Sequence, residues 1–231
     1  NASTDMNATP FRDLRLEAEL HLGGLDSVAA RGVFDDLVTY LGQPIETIAK
    51  QYWHHRETGD VKAQENVAQA AHEQAVMAYY QTTPHYLYEL SYWEASYDKQ
   101  AWFGVLAQAC RKRGVRRMLD YGGGVGGVCL SLRHAGYECD YLDVAGKTFD
   151  YAAWRFQRHG VTPRTFNILN GWPAARYDAV VTWDVLEHVT DPQGELIRLQ
   201  EAAVPGGLVA LTTVDIGSLS GKLMGTRWQW L

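Results

Sequence analysis

The stretch LDYGGGVGGVCLSL, from Leu119 to Leu132, is the feature that most constrains how this chain can fold. A short apolar run leads into five glycines within six residues, and a helical apolar pattern follows. Glycines allow a strand to turn sharply into a helix and let the backbone approach another molecule closely. The stretch therefore predicts a strand–turn–helix unit with a ligand-binding turn.

Strand and helix patterns alternate from Arg116 onward, which implies parallel strands joined by helical crossovers. We expect an α/β fold with a doubly wound, mostly parallel, Rossmann-like sheet that a helical N-terminal region precedes. In such a sheet the ligand lies at the carboxyl ends of the strands. The predicted strands cover residues 116–121, 138–144, 165–168, 177–183 and 208–214, and the predicted helices cover residues 125–135, 147–159 and 192–204.

Roughly the first hundred residues carry helical patterns only. Pro44 suits the first position of a helix whose buried face holds Ile48 and Tyr52. Further helical patterns run over residues 60–80 and 102–110. We therefore divide the chain into a helical N-terminal region or lid, residues 1–97, and a ligand-binding sheet domain, residues 98–231.

Composition restricts the partners and the compartment. The formal net charge of −6 argues against a nucleic-acid binder, which needs a concentrated basic surface. No apolar run reaches the roughly 18 residues of a membrane span. Three cysteines without a C-x-x-C pattern indicate buried packing in a reducing compartment. We expect a cytoplasmic protein without nucleic-acid or membrane partners, and the scattered histidines predict no metal site.

The glycine-rich turn fits two cofactors. Gly122, Gly124 and Gly127 match the dinucleotide pattern G-x-G-x-x-G, whereas Asp120, Gly122, Gly124 and Gly126 match D-x-G-x-G-x-G, a loop associated with S-adenosylmethionine. A carboxylate beside this turn would repel a pyrophosphate by on the order of 1 kcal/mol or more. The same carboxylate would favour the sulfonium and ammonium groups of S-adenosylmethionine, so the charge comparison favours the methyl donor.

Asp143 supports a nucleoside site without choosing between the two cofactors. It follows the glycine-rich turn by about 20 residues, the interval at which an acidic residue binds ribose hydroxyls.

Two later stretches complete a resemblance. YDAVVTWDVLEHVTDP, residues 177–192, and PGGLVALTT, residues 205–213, follow LDYGGGVGG in order. With these three matches the chain resembles class I S-adenosylmethionine-dependent methyltransferases of the small-molecule type over about residues 116–214. The resemblance implies in-line methyl transfer to a small organic acceptor such as a biosynthetic intermediate, with S-adenosylhomocysteine as the product.

The resemblance also implies roles for individual residues, which divide between the cofactor and the edge of the acceptor pocket. The methionine moiety is expected to contact Asp120, Gly122, Gly123, Gly124 and Gly126. The ribose is expected to bind Asp143, the adenine ring to pack against Val144, and the adenine amino group to contact Asn167. Trp183 and Asp184 are expected to lie between the cofactor and the acceptor pocket.

An acceptor that must lose a proton requires a base. His188 is the candidate base, together with Asp184; alternatively, His188 only stabilises the fold. Tyrosines are concentrated over residues 79–97, where they either form a packing layer or close over the cofactor and exclude water. Tyr80, Tyr86 and Tyr88 are the candidates for cofactor or acceptor contact.

Two other functions stay open from the residues alone. The chain could be an NAD(P)-dependent oxidoreductase, if the turn accepts a phosphate despite Asp120. It could also be a non-catalytic methyltransferase-like module that binds a nucleoside or a partner.

The C-terminal end is short for the family. Only seventeen residues, DIGSLSGKLMGTRWQWL, follow Val214, too few for the helix and two strands that complete the sheet. We expect either a fragment of a longer polypeptide or a last strand edge that the N-terminal helices or another chain, such as a second copy, covers. The alternative is a short variant whose terminal aromatic residues fold back onto the core.

Overall fold

A computed structural model describes residues 27–58, 73–95, 97–213 and 227–230. Its centre is a six-stranded sheet in the order β3-β2-β1-β4-β5-β6. The first five strands run parallel and β6 pairs antiparallel with β5, which confirms the doubly wound, mostly parallel α/β prediction. The strands are β1 (Arg117–Tyr121), β2 (Glu138–Asp143), β3 (Thr165–Asn167), β4 (Tyr177–Trp183), β5 (Ala203–Thr213) and β6 (Arg227–Trp230).

Within residues 27–58, 73–95 and 97–213, five α-helices precede the sheet and three lie between its strands. Most predicted bounds hold within about three residues, but the last parallel strand and the helix predicted over residues 102–110 each begin five residues earlier than predicted. Residues 60–72 of the predicted 60–80 helix lie outside the described part of the chain. The helices are α1 (Ser27–Leu41), α2 (Ile45–Thr58), α3 (Glu73–Thr82), α4 (His85–Glu94), α5 (Tyr97–Lys112), α6 (Gly127–His134), α7 (Lys147–Arg158) and α8 (Pro192–Ala202).

The central strands β1, β2 and β4 are buried on both faces, as parallel strands are when helices cover the two sides of the sheet. The chain leaves β1 toward β2 on one side and later returns to β4 on the other side. The carboxyl ends of β1 and β4 therefore border the crevice in which doubly wound folds bind their ligands.

The helices that precede the sheet cover part of this carboxyl edge. A Cβ atom on Gly124, after β1, would lie 2.7 Å from Leu90 of α4, and one on Gly146, after β2, would lie 2.6 Å from the backbone of Gln81 in α3. Val125 packs in the same apolar cluster as residues of α1, α2 and α4. The N-terminal helices are thus in direct contact with the loops that follow β1 and β2.

The chain itself supplies the neighbour of the last parallel strand. Residues 227–230 form β6 and pair with residues 210–213 of β5. This edge is therefore paired with a strand of the same chain that contains the terminal aromatic residues Trp228 and Trp230. Of the arrangements that the sequence suggested, the return of these aromatic residues to the rest of the chain is the most similar to it.

Two further expectations concern membranes and cysteines. Among the described helices, none combines the length and apolarity that crossing a bilayer requires. All three cysteines are buried and unpaired, as the sequence predicts.

Candidate active site at the carboxyl edge of the sheet

The loop between β1 and α6, residues 122–126, is the glycine loop. Gly122, Gly124 and Gly126 have φ angles of 68°, 53° and 82°, a left-handed conformation that favours glycine. A Cβ atom on Gly122 would overlap Val185, which follows β4. Glycine is therefore needed here for the backbone turn and for close approach of the chain's own side chains.

Asp120 lies beneath the glycine loop. It is 1% exposed, and its Oδ2 accepts a hydrogen bond of 3.0 Å from the backbone N–H of Cys129 in α6. Burial, together with the nearby charges of Asp143 and Glu94, raises the pKa of Asp120 to about 8. In this position the carboxyl group orients the loop and the first turns of α6, one of the ways in which it could favour a cationic ligand.

Asp143, at the end of β2, holds the glycine loop from the other side. Its Oδ2 accepts a 2.6 Å hydrogen bond from the backbone N–H of Gly124, and its Oδ1 accepts one of 2.6 Å from that of Val144. Burial raises the pKa of Asp143 to about 6, although these N–H groups oppose the shift. A carboxylate offers about four acceptor positions, so Asp143 retains capacity for ribose hydroxyls.

Tyr141 is a buried residue of β2 whose role the sequence analysis missed. Its hydroxyl donates a 2.6 Å hydrogen bond to the carbonyl oxygen of Gly124 and lies 3.4 Å from Asp143 Oδ2. Together with Asp143, it fixes both polar backbone groups of Gly124. The side chain looks like an ordinary strand core residue in the sequence, because its partner lies in the adjacent loop.

Asn167 occupies the expected end of β3, opposite Asp143 of β2, but its carbonyl oxygen is engaged. Oδ1 accepts hydrogen bonds from the backbone N–H groups of Ala145, at 3.2 Å, and Leu169, at 3.1 Å. A carbonyl oxygen has two acceptor positions, so the group left for a nucleobase is the amide NH₂, a donor. An adenine amino group is also a donor, which makes the expected contact chemically mismatched in this conformation.

Trp183 and Asp184, at the end of β4, face α5. Asp184 has a φ of 52°, the only positive value of a non-glycine residue in the described ranges. Its carboxylate pairs with Lys99 of α5 and accepts a 2.7 Å hydrogen bond from the hydroxyl of Thr212. The rings of Trp183 and Trp102 are nearly parallel, with centroids 6.4 Å apart. Asp184 is thus held by two partners at the edge of the crevice.

His188 contacts one of the three predicted tyrosines, Tyr80, which in turn contacts a second, Tyr86. The ring centroids of His188 and Tyr80 are 6.1 Å apart, and those of Tyr80 and Tyr86 are 5.2 Å apart. Burial lowers the pKa of His188, although Glu89 and Asp184 oppose the shift. The imidazole is therefore neutral at neutral pH and can accept a proton.

Tyr80 connects the two sides of the crevice. Burial, with smaller contributions that include the charges of Glu187 and Asp143, raises its pKa to about 12, so its hydroxyl stays protonated. Tyr88 does not join this group. It is buried in the apolar cluster that contains Leu37, Ile48 and Val125, which gives it a packing position.

The charges around the glycine loop suit a cation better than a pyrophosphate. Asp120, Asp143 and Glu94 lie close enough to influence one another. Arg155, which contacts the loop, is already paired with Glu94 and Asp36. The donor and acceptor groups therefore fit S-adenosylmethionine, whose sulfonium and ammonium are positive. No group of three or more potential metal ligands occurs among the described residues.

Comparisons with known proteins find relatives of this chain among named methyltransferases. The chain is 30% identical to a ubiquinone biosynthesis O-methyltransferase of Cereibacter sphaeroides over 50% of this chain and 49% of that protein. It is 32% identical to a protein of the same name from a Caulobacter species, over 43% and 41% of the two chains. The chain thus spans about half the length of these curated relatives.

A structure of an S-adenosylmethionine-dependent methyltransferase from Clostridium acetobutylicum superposes with a TM-score of 0.46 and 16% identity, over 50% of each chain. Residues 52–231, well over half of the chain, match the family described as the methyltransferase domain. The resemblance predicted from the glycine loop and the two later stretches is therefore confirmed, and this chain belongs to the methyltransferase domain family.

Proposed function

We propose that this protein transfers a methyl group from S-adenosylmethionine to a hydroxyl group of a small organic acceptor. The observation that carries the proposal is the arrangement around the crevice. Buried carboxyl groups hold a glycine loop on one side, and on the other a neutral histidine contacts Tyr80, which in turn contacts Tyr86.

The cofactor side is assigned from charge and hydrogen bonding. S-adenosylmethionine, when bound, supplies a methyl group on a positive sulfur that is open to attack by a nucleophile. Asp143 would bind the ribose hydroxyls, and Val144 would pack against the adenine ring. Asp120 and the glycine loop would surround the methionine moiety. The low polarity of the buried site strengthens the attraction between these carboxyl groups and a cation.

The acceptor side is assigned to His188, Tyr80 and Tyr86. A hydroxyl is a weak nucleophile until it loses its proton, and His188 is neutral and able to take that proton. Tyr80 and Tyr86 would exclude water from the reacting atoms and bind the apolar body of the acceptor. Alignment of the acceptor oxygen with the methyl group would supply a large share of the rate.

A hydroxyl acceptor is supported by two independent points. A neutral amine would need no base beside it, whereas this crevice contains His188 with its lowered pKa. The curated relatives are named as O-methyltransferases of ubiquinone biosynthesis. We therefore propose a hydroxylated small molecule as the acceptor, and no nucleic acid.

Two assays test the proposal. Calorimetric titration is expected to show binding of S-adenosylhomocysteine and none of NADH; the reverse result would make the chain a dinucleotide-binding protein. Transfer of a labelled methyl group is then measured with phenols, catechols, aliphatic alcohols and amines. We expect transfer to at least one hydroxylated compound. Binding of S-adenosylhomocysteine without transfer to any compound would favour the non-catalytic module.

A further inference from the structure

A buried ionic cluster lies between the N-terminal helices and the glycine loop, outside the proposed chemistry. Arg155 of α7 is 2% exposed, Asp36 of α1 is 2% exposed and Glu94 at the end of α4 is 8% exposed. Charged side chains are rarely buried to this extent unless they are paired. The cluster joins three helices that are distant from one another in sequence.

The guanidinium of Arg155 is almost fully engaged. Its Nε donates to Asp36 Oδ2 at 3.0 Å, and its Nη1 and Nη2 donate to the two carboxylate oxygens of Glu94 at 2.6 and 2.8 Å. Nη1 also donates to the backbone carbonyl oxygen of Val125 at 2.8 Å. Arginine has five N–H donors in a fixed planar arrangement, and four of them are engaged in these bonds.

Val125 is the contact through which the cluster reaches the glycine loop. It lies between Gly124 and Gly126, and its buried side chain packs with residues of α1, α2 and α4. Its carbonyl oxygen accepts the bond from Arg155. Both the side chain and the backbone of this loop residue are thus held by the layer of N-terminal helices and by α7.

Glu94 reaches the other end of the same loop. Its carboxylate contacts the position that a Cβ atom would occupy on Gly127, the first residue of α6. A carboxylate at the start of a helix is attracted by the exposed N–H groups and the helix dipole. Glu94 therefore fixes Arg155 and lies against the start of the helix that the glycine loop leads into.

We propose that Arg155 is a positioning residue for the glycine loop, through which Asp36 and Glu94 couple the N-terminal helices to cofactor binding. The inference rests on the proposed function, because it takes the loop as the cofactor site. Arg155 touches no reacting atom. It acts through the carbonyl oxygen of Val125. Its planar guanidinium group donates in fixed directions and so holds one loop conformation, which the ammonium group of a lysine would not do.

The first test compares two arginines of the same helix. Arg158 also pairs with Asp36, at 2.8 Å, but its side chain is 39% exposed and lies over the ring of Trp154. We expect Arg155→Lys to raise the Kd of S-adenosylhomocysteine by about tenfold or more, and Arg158→Lys to change it by less than about twofold. Equal Kd values for folded Arg155→Lys and the wild-type protein would overturn the proposal.

The second test needs no cofactor and so separates this inference from the proposed function. Amide hydrogen exchange of residues 119–130 is measured in the ligand-free proteins. We expect faster exchange there in Arg155→Lys than in Arg158→Lys, with exchange in β4 and β5 unchanged. A uniform increase across the sheet would make Arg155 a general stability residue and overturn the proposal. Failure of the wild-type protein to bind S-adenosylhomocysteine would instead contradict the proposed function.

Glu94→Gln provides a second variant if Arg155→Lys does not fold. Glutamine keeps the shape and one acceptor oxygen but loses the charge. We expect the same pattern with a smaller effect: a higher Kd and faster exchange confined to residues 119–130. Wild-type values for both quantities would overturn the coupling through Glu94.

Discussion

The two sides of the crevice are held by different kinds of interaction. The cofactor half comprises the glycine loop with Asp120, Asp143, Val144 and Asn167. Its side chains accept hydrogen bonds from backbone N–H groups at five positions. The acceptor half comprises residues 183–188 with Tyr80 and Tyr86, and it is held by ring contacts, an ion pair and hydrogen bonds between Asp184 and Thr212.

Because of this difference, the cofactor half accepts one ligand shape, whereas the acceptor half can differ in the ligand shapes that it accepts. Hydrogen bonds to backbone groups constrain direction as well as distance, so the cofactor half has a single geometry. Aromatic rings pack in several offset arrangements of similar energy. Substitutions in the acceptor half should therefore change turnover and acceptor choice, and those in the cofactor half should change stability or affinity.

The largest expected effect concerns His188. His188→Gln is expected to lower kcat by about 10² to 10⁴-fold, because it removes the base, while the Kd of S-adenosylhomocysteine stays unchanged. His134→Gln, at an exposed position of α6, is the control. A folded His188→Gln enzyme with wild-type kcat would remove His188 from the chemistry.

The pH dependence of kcat sharpens the same prediction. His188 accepts a proton only when neutral, so activity must fall as the pH drops below its pKa. Burial lowers that pKa from the usual 6.5. We therefore expect the acidic limb of the pH profile below pH 6.5 and a plateau at neutral pH, with the limb absent from the residual activity of His188→Gln.

The next effect is a loss of stability in the cofactor half. Gly122→Ala is expected to destabilise the fold by roughly 2–4 kcal/mol, because it combines a left-handed backbone with overlap against Val185. Gly114→Ala is the matched control, since Gly114 has a φ of 64° and no atom within 4 Å of its Cβ position. Urea denaturation measures both.

The control should lose about 1–2 kcal/mol for the backbone alone. Adding Val185→Ala to Gly122→Ala should recover the part that overlap causes. Equal losses at the two glycines would show that the close approach of Val185 contributes nothing.

A smaller effect on affinity is expected at Asp143. Asp143→Ala should weaken binding of S-adenosylhomocysteine by about 1–3 kcal/mol, because buried hydroxyl groups lose their acceptor. The glycine loop also loses the acceptor for the N–H of Gly124. Asp150→Ala, at an exposed position in α7, is the control for calorimetry. Unchanged affinity in Asp143→Ala would exclude Asp143 from the ribose site.

The smallest effect is the response to pH at Asp120. A raised pKa of about 8 leaves this group largely protonated at pH 7 in the free protein. A cation favours the ionised form, so affinity for S-adenosylmethionine should rise, by less than about tenfold, from about pH 7 to 8.5. The neutral sulfur of S-adenosylhomocysteine should give a weaker dependence.

Asp120→Asn should abolish this dependence and weaken S-adenosylmethionine binding more than the nearby Leu132→Met does. An unchanged pH dependence in Asp120→Asn would assign it to another group, of which Asp143 is the nearest candidate.

The sequence predicts the sheet and the glycine loop because both depend on local patterns. Buried strands and positive-φ glycines follow directly from residue type and spacing, as at Gly122 and Gly124. The burial of Asp120 was not predictable in this way. The motif places its carboxyl group beside the loop, whereas its depth depends on how α6 packs above β1.

The positions of side chains in the site depended on long-range contacts that no local pattern records. Arg155 meets Glu94 and Asp36, which precede it by 61 and 119 residues. One signal was available: Arg155 lies on the helix face that also carries Tyr151, Ala152 and Phe156, all of them buried. Asn167 shows the reverse case, since its position was predicted but its hydrogen-bond partners were not.

Helix α4 carries residues of two functional groups, one at each end of the helix. Tyr86 in its first turn belongs to the acceptor half, whereas Glu94 in its last turn contacts Arg155 and the start of α6. The two residues are separated by about 12 Å along the axis. Exchange of this helix between homologous enzymes would therefore carry both properties together. Substitutions in the first turn of α4 can change the acceptor preference without changing Glu94, so a new acceptor preference can evolve there most freely.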